Sequence, residues 1–348
     1  MDRDQDILFS LIVPVYNRPD EVADLLQSLE NQSDRGFEVI IVEDGSTVPC
    51  LSYETTPDGE KKAKGFPSLR LQYFQKENEG RSIARNYGLE HARGDYFVFV
   101  DSDCILPPDY FARLRHSLRE KPADCFGGPD AAHESFTDTQ KAINYAMTSF
   151  LTTGGIRGGK RSMEKFTPRT FNMGYSRRVW ETTGGFREMF SEDIDMSTRI
   201  RMAGFKTALF PDVKVFHKRR VNLKKFWKQV HVFGQSRITL QLLYPGSMKL
   251  VHWLPAVFTI GALGLLIASI WCPWLLIPLG VYILALWIGG LVATRNLKIA
   301  SQAVAAAMVQ LTGYGTGFLK AYFTKIVLGR GRDEKREREI RMGKNEGL

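Results

Sequence analysis

The sequence predicts an α/β protein with a mostly parallel sheet covered by helices on both faces, followed by a membrane helical hairpin and interfacial helices. The first observation is a series of short apolar runs that alternate with helical segments, which is the pattern of a buried parallel sheet. The second is the stretch between Lys249 and Arg295, which contains no Asp, Glu, Lys or Arg. Because a helix crosses the hydrocarbon core with about 20 apolar residues, this stretch is long enough for two crossings.

The apolar runs are short, rich in β-branched and aromatic residues, and followed by polar or turn-forming residues, as expected of strands. The predicted strands are residues 7–13, 37–42, 69–74, 96–100 and 213–216. Predicted helices begin near Pro19, a residue favoured in a first turn, and near Arg81. In such sheets, ligands bind beyond the carboxyl ends of the strands. Asn17, Asp44 and Asp101 all follow strands, so we expect them to meet in one site.

Two carboxylates, Asp101 and Asp103, come directly after the strand at 96–100. Mg²⁺ and Mn²⁺ take oxygen ligands and share them with substrate phosphates, so this pair predicts a site for a nucleoside diphosphate. An Asp-x-Asp pair occurs by chance in many loops, and its place at a strand end is what favours the interpretation. His217, at the end of the last predicted strand, is a candidate third ligand, although a single histidine is more often structural.

A second acidic cluster, Glu192, Asp193 and Asp195, follows Ser191 at the start of a predicted helix. One interpretation is structural, because acids in a first turn interact favourably with the helix dipole and serine is a common N-cap. The other interpretation is that one of these carboxylates is a general base. The residues alone leave both open.

The C-terminal third predicts membrane association. The net charge of +9 suits either nucleic acid or an anionic membrane surface, and the long uncharged stretch favours the membrane. The sequence Trp271-Cys272-Pro273-Trp274 lies near the middle of that stretch, where proline breaks a helix and tryptophans favour the interface. Residues 299–319 are also uncharged, but Gly313, Gly315 and Gly317 weaken them as a helix.

An ordered series of motifs resembles family 2 glycosyltransferases of the GT-A fold, of the membrane-anchored bacterial type. The resemblance covers about residues 7–240, and the set in order is far more specific than any single motif. The motifs are Val13-Pro14-Val15-Tyr16-Asn17-Arg18, Glu43-Asp44-Gly45-Ser46, the segment 78–88, Asp101-Ser102-Asp103, Phe171-Asn172-Met173-Gly174-Tyr175 and Glu192-Asp193.

The resemblance implies a role for each motif. Asp44 would hydrogen-bond the nucleobase, usually uracil, and Asp193 would be the catalytic base, with Glu192 beside it. The implied nucleotide site comprises Pro14, Tyr16, Asn17, Asp44, Arg81, Arg85 and Asp101. The implied sugar and acceptor site comprises Asn172, Met173, Gly174 and Tyr175. By the resemblance, Asp103 would ligate Mg²⁺ or Mn²⁺ and Asp101 would contact the ribose or the sugar. Asp101 and His217 stay candidate metal ligands from the residues alone.

These roles predict a metal-dependent, inverting glycosyltransferase. It would move a sugar from a nucleotide-sugar donor, expected to be a UDP-sugar, to a hydroxyl of a lipid-linked, glycolipid or polysaccharide acceptor. A phosphate acceptor is already ionised and needs no base, so a catalytic Asp193 favours an alcohol as the acceptor. The first alternative is a polyprenyl-phosphate sugar transferase, and the second is a non-catalytic membrane scaffold. Gln235-Ser236-Arg237 lacks the tryptophan of the family's Gln-x-x-Arg-Trp signature, which argues against processive synthesis. The expected partners are donor, acceptor and membrane lipid, without nucleic acid.

The predicted organisation has five parts. Residues 1–220 form a cytoplasmic catalytic domain, 221–249 an interfacial amphipathic helix, 250–294 a transmembrane hairpin, 295–328 an interfacial, re-entrant or third membrane helix, and 329–348 a basic tail. Positive segments stay in the cytoplasm, so we expect a multi-pass protein of the plasma membrane with its catalytic domain on that side. The four cysteines form no metal-type spacing, and no secretory signal is evident, which fits reduced thiols.

Overall fold

The computed structural model describes residues 7–51, 53–55, 61–63, 66–131, 136–154, 166–218 and 222–331. The strands are β1 (Phe9–Val15), β2 (Phe37–Asp44), β3 (Tyr53–Thr55), β4 (Lys61–Ala63), β5 (Leu71–Lys76), β6 (Tyr96–Phe99), β7 (Cys104–Ile105), β8 (Cys125–Gly127), β9 (Asp130–Ala131), β10 (Met173–Ser176), β11 (Thr207–Leu209) and β12 (Val215–His217). The α-helices are α1 (Pro19–Glu30), α2 (Arg81–His91), α3 (Tyr110–Glu120), α4 (Asp138–Thr148), α5 (Phe150–Thr153), α6 (Arg177–Thr183), α7 (Glu192–Met202), α8 (Leu223–Leu243), α9 (Leu250–Ala268), α10 (Ile277–Thr294) and α11 (Leu297–Ala321).

The described residues within 1–133 and 165–218 form one compact unit around a seven-stranded sheet. The strand order is β11-β8-β10-β6-β1-β2-β5, and β1 pairs in parallel with both β2 and β6. β10 is antiparallel to β6 and β8, so the sheet is mixed. The other pairings, β1–β2, β1–β6, β2–β5 and β8–β11, are parallel, so the sheet is mostly parallel, as the sequence predicts. The sequence does not predict the antiparallel β10, which is only four residues long and lies outside the regular strand–helix alternation.

Helices cover both faces of this sheet, as predicted. Every residue of β2 is buried, which is the pattern of a strand packed on two sides. One core cluster lies between the sheet and α1 and α3, and it includes Leu25 and Phe111. The other lies between the sheet and α2, α6 and α7, and it includes Leu89 and Met196. The alternation of side chains along each strand supplies both cores.

A second, three-stranded sheet has the order β7-β12-β9. In it, His217 pairs with Cys104, and Val215 pairs with Asp130. The predicted strand at 213–216 is therefore present at 215–217, in the small sheet rather than in the large one. This pairing carries His217 next to the loop that follows β6, which is the structural basis of the cluster described below.

The described residues within 134–164 and 219–348 form a second compact unit, a bundle of α4, α5 and α8–α11. The catalytic domain predicted at 1–220 includes residues 136–154, and the structure instead groups these described residues with the C-terminal helices. The reason is tertiary: α11 packs along α4 as well as along α8, α9 and α10, and a contact 160 residues away leaves no local signal in the sequence.

Two helices of the described chain are long and apolar enough to cross a membrane by length and composition, Leu250–Ala268 and Pro273–Thr294. Many of their large apolar side chains are exposed in the structure, including Trp271 and Trp274 in the connection between them. The predicted helical pair at 250–294 is thus present, joined by a short 3₁₀ turn at Pro273–Leu276.

The predicted element at 295–328 is the 25-residue α-helix α11, followed by a π-helical turn at Tyr322–Val327. It runs unbroken through Gly313, Gly315 and Gly317, which the sequence predicts to weaken it. These glycines allow neighbouring helices to approach closely: a Cβ on Gly317 would overlap the backbone of His231 in α8. Tertiary packing here outweighs intrinsic helix propensity. The predicted basic tail, 329–348, lies largely outside the described residues.

Candidate functional site

Three of the predicted site residues, Asn17, Asp44 and Asp101, lie at the carboxyl ends of β1, β2 and β6. Asp44 is the last residue of β2, Asn17 follows β1 by two residues, and Asp101 follows β6 by two. Because β1 lies between β2 and β6 and is parallel to both, these three ends are adjacent. The strand register therefore brings together residues that are far apart in the chain.

Asp44 and Asn17 hold the loops at this edge. Asp44 is buried and accepts hydrogen bonds from the backbone N–H groups of Glu79 (3.0 Å) and Gly80 (2.8 Å) and from Lys76 Nζ (3.0 Å). These contacts fix the chain that enters α2. The Asn17 side chain accepts from the N–H and hydroxyl of Thr47, and its backbone has a φ of +51°.

Tyr16 is half exposed, and Pro14 is partly buried within β1. Together with Asp44, they were assigned to a nucleobase pocket on the basis of the family resemblance. That role stays a prediction.

A cluster of acids surrounds His217. Its Nε2 lies 3.2 Å from Asp103 Oδ1 and 3.8 Å from Asp101 Oδ2, and its Nδ1 lies 4.0 Å from Asp130 Oδ2. The ring stacks on Phe171, with centroids 5.2 Å apart. The sequence did not single out Asp130, because β9 is only two residues long and offers no recognisable pattern.

This cluster fits a divalent cation. One ligand atom from each of Asp103, Cys104 and His217 lies within 4.8 Å of the others. Cys104 is the weak member: burial, followed by the nearby Asp103 and Asp101 carboxylates, raises the pKa of its thiol well above the ordinary value, and its Sγ donates to the Phe171 carbonyl (3.6 Å). Carboxylate oxygen and imidazole nitrogen are suitable ligands for Mn²⁺ or Mg²⁺, so the predicted set Asp101, Asp103 and His217 fits better than a set with the thiol.

A partly buried ion cluster connects the acids around His217, here called the metal-side acids, to the second acidic motif. Arg85, in α2, donates from Nη1 to Glu192 Oε1 (2.8 Å) and from Nη2 to Asp101 Oδ1 (2.9 Å). Arg81, one turn earlier, donates to Glu192 Oε2 (2.8 Å). We call Arg81, Arg85, Asp101 and Glu192 the α2 ion cluster. It places the start of α7 beside the end of β6.

Within this cluster, Arg81 has 51% of its side chain exposed, whereas Arg85 has 1%. Burial lowers the pKa of Arg81, but the surrounding carboxylates of Glu192, Asp101 and Asp193 outweigh it, so the net shift of the pKa is upward. The Arg81 guanidinium therefore remains charged. Arg81 is thus the member of the cluster that offers a cation to solvent, and Arg85 is enclosed.

Asp193 is partly exposed at the start of α7. Its Oδ1 accepts from the backbone N–H of Ile194 (2.8 Å) and lies 3.7 Å from Arg169 Nη1. Ser191, at the predicted N-cap position, has a φ of +68°. Arg169 was not predicted from the sequence; it lies in an irregular segment without a motif. The assignment of Asp193 as a base stays a prediction.

The four predicted acceptor residues are buried. Asn172 accepts from the Tyr110 hydroxyl (2.7 Å) and donates to the Val213 carbonyl (2.7 Å). Met173 and Tyr175 have no exposed side-chain surface, and Gly174 packs against the ring of Phe126. These side chains therefore contact the protein core, and their contact with an acceptor stays a prediction.

Comparison with known proteins identifies the family. Residues 10–190 match the model of the glycosyl transferase family 2. A putative glycosyltransferase of Bacillus subtilis, EpsH, is 40% identical over 106 residues, which are 30% of this chain and 28% of the relative. An uncharacterized glycosyltransferase of Escherichia coli, YibD, is 30% identical over 171 residues, 49% of this chain and 45% of the relative.

Other relatives match over shorter parts of their length. An uncharacterized glycosyltransferase of Rickettsia felis is 36% identical over 104 residues, 30% of this chain and only 16% of the relative. The chain thus spans less than half the length of each of these three relatives.

Among solved structures, the mannosyltransferase PcManGT from Pyrobaculum calidifontis, in complex with GDP-Man and Mn²⁺, superposes with a TM-score of 0.54. The two chains are 19% identical, and the superposition covers 93% of this chain and 89% of the other. At that identity the likeness concerns the fold, and it confirms the predicted GT-A class. Motifs, fold and family model agree: the chain belongs to glycosyl transferase family 2.

Proposed function

We propose that this chain is a metal-dependent, inverting glycosyltransferase. It takes a sugar from a nucleotide-sugar donor, a UDP-sugar in the first instance, and transfers it to a hydroxyl of a lipid-linked, glycolipid or polysaccharide acceptor. The single observation that carries the proposal is the convergence of Asp101, Asp103 and His217 with the Glu192-Asp193 segment through the α2 ion cluster. Family membership supports the reaction class.

Displacement of a nucleoside diphosphate places negative charge on the leaving phosphates. A divalent cation, when bound by Asp103, His217 and Asp101, would supply Lewis-acid stabilisation of that charge. The exposed guanidinium of Arg81 adds a second positive group at the same edge of the sheet. Such preorganised charges stabilise a transition state without having to reorient during the reaction.

The acceptor hydroxyl must lose its proton as it attacks. Asp193 is the proposed base because it is partly exposed, whereas both oxygens of Glu192 accept from arginines. A base on the face opposite the leaving diphosphate implies in-line attack and inversion at the anomeric carbon. A positioned base contributes about 10²–10⁴-fold to the rate.

The helices α9 and α10 support a membrane location for the proposed enzyme. Each is long and apolar enough to cross a bilayer. We propose that they anchor a multi-pass protein in the plasma membrane with the catalytic unit in the cytoplasm, where nucleotide sugars are available. A lipid-linked acceptor would suit that location.

The test is a donor screen with the purified full-length protein in lipid nanodiscs, following the release of nucleoside diphosphate. UDP-hexoses, UDP-N-acetylhexosamines and GDP-mannose form the donor arms, each with Mn²⁺, Mg²⁺ or a chelator. Acceptor arms contain either a lipid-linked sugar or a polyprenyl phosphate. We expect metal-dependent turnover of one donor with the hydroxyl acceptor. Turnover with the phosphate acceptor alone would replace the proposal by its first alternative, and no turnover of any donor would contradict it.

A further inference from the structure

Glu192 lies beside the proposed base but is itself enclosed. Its side chain is 2% exposed, and each of its oxygens accepts a hydrogen bond from a different arginine of α2. To take a proton from a substrate, it would have to break one of these charged hydrogen bonds. A general base must instead come within hydrogen-bond distance of the proton that it removes. Glu192 is therefore poorly placed for the catalytic role predicted from the sequence.

Arg85 is equally enclosed, although it was predicted to bind the nucleotide. Its guanidinium is 1% exposed, lies under the ring of Phe186 at 5.6 Å from the centroid, and donates to Glu192 and Asp101 at once. Asp101 uses Oδ1 for this contact, and its Oδ2 faces His217. The Arg85 guanidinium thus links Glu192, the neighbour of the proposed base, to Asp101, which lies beside His217.

A separate set of contacts attaches the same segment to α2. The amide of Asn86 donates to the Phe186 carbonyl (2.8 Å) and accepts from the Phe186 N–H (2.7 Å), as a neighbouring strand would. Gly185 lies so close that a Cβ there would overlap the Asn86 side chain. The chain that leads into α7 is therefore held to α2 at two successive points, by Asn86 and by the α2 ion cluster.

We propose that Arg85 and Glu192 are positioning residues, which set the distance between the base Asp193 and the metal-side acid Asp101. This inference rests on the proposed function. The charges within the α2 ion cluster balance, two cations against two anions, so removing one member leaves an uncompensated charge in a buried place. The geometry of the two halves of the site depends on Arg85 because its planar guanidinium can serve two acids in fixed directions, which an ammonium does not reproduce.

The experiment compares Glu192→Gln and Arg85→Lys with matched changes at the other end of the sheet. Glu38→Gln alters a buried carboxylate that accepts from Ser10, and Arg115→Lys alters a buried arginine paired with Asp34. With the donor found in the screen, kcat, KM and the pH dependence of kcat are measured for each variant. We expect kcat to fall by about 10–100-fold in both cluster variants, as for other residues that orient ligands of a reactive centre. KM for the donor should change by less than about threefold, since donor contacts are retained.

The pH profile separates positioning from catalysis. A carboxylate base makes kcat fall at acid pH, where the base is protonated. Because the proposed base, Asp193, remains in Glu192→Gln, this fall should persist in that variant. The two control variants should keep the wild-type kcat even where their melting temperature drops. Glutamine has nearly the same shape as glutamate, so Glu192→Gln is sufficient for the test if Arg85→Lys does not fold.

Three results would overturn the inference while leaving the proposed function intact. The first is a kcat of Glu192→Gln that no longer falls at acid pH, which would make Glu192 the base. The others are a wild-type kcat in both cluster variants, or equal losses of kcat in the control variants. A wild-type protein that turns over no donor would overturn both proposals together.

Discussion

Two buried arginines lie at opposite ends of the central sheet and make different kinds of ion pair. Arg115, from α3, donates to both oxygens of Asp34 and to the Ile7 carbonyl, next to the amino ends of β1 and β2. Arg85, from α2, divides its donors between Glu192 and Asp101 beyond the carboxyl ends. Arg115 pairs with a single acid, whereas Arg85 links two acids from different segments of the chain.

The difference shows that burial of a charged pair does not by itself indicate function. Both arginines pair with carboxylates, and both acids at the amino end, Asp34 and Glu38, are bonded within the protein. What distinguishes the carboxyl end is that the paired acids adjoin partly exposed ones, Asp193 and Asp103, on which a substrate and a cation can act. The comparison therefore predicts that substitutions at the carboxyl end of the sheet lower activity strongly. Substitutions at the amino end should change stability alone.

The largest expected effect is that of Asp193→Asn. Loss of the proposed base should lower kcat by about 10²–10⁴-fold. The melting temperature should stay close to that of the wild type, because the carboxylate makes one backbone hydrogen bond that an amide oxygen can also accept. Full activity in a folded Asp193→Asn variant would assign the proton transfer to another group.

A smaller effect is expected from the contacts of Asn86, and Ser10→Ala is the matched change at the amino end. Each side chain makes two hydrogen bonds: Asn86 with the backbone of Phe186, and Ser10 with Glu38 and the Gly94 N–H. Either alanine variant should destabilise the protein by about 1–3 kcal/mol. Only Asn86→Ala should also lower kcat, because only it loosens the segment that leads to Asp193.

Chemical denaturation combined with the activity assay checks this pair. If the two variants lose similar stability and similar activity, the attachment of α7 to α2 has no special bearing on the reaction, and the distinction between the two ends fails at this point.

The smallest expected effect is the pH dependence of Asp34. Burial would raise the pKa of this carboxyl, but hydrogen bonds from Arg115 and the Gly36 N–H lower it overall, below the ordinary value of about 3.9. A lowered pKa in the folded state contributes stability above pH 3.9 that is lost as the pH falls through the folded value. The free energy of unfolding of Asp34→Asn should therefore depend less on pH below about 4. Parallel pH curves for variant and wild type would show that the pair has no net influence there.

The sequence predicts much of the carboxyl-end site because its signals are local. Asp44 and Asp101 follow continuous apolar strands, and parallel strands place their ends together. Pro19 likewise occupies the first position of α1, as its restricted backbone favours.

Other features depend on contacts that leave no local pattern. The enclosure of Arg85 needs Glu192, 107 residues away, and the orientation of His217 involves Asp130 from a two-residue strand. The grouping of residues 136–154 with the C-terminal helices has the same origin. Tyr175 was predicted to line the acceptor site from its motif, whereas its strand lies inside the sheet with both faces covered.

The most direct test of the central claim is the position of Mn²⁺ in crystals grown with the metal and a nucleoside diphosphate, located by anomalous scattering at the manganese edge. The account predicts one strong peak within coordination distance of Asp103 and His217, with the diphosphate between the metal and Arg81, and no peak in Asp103→Asn. A peak at another place on the protein, or an unchanged peak in Asp103→Asn, would contradict it.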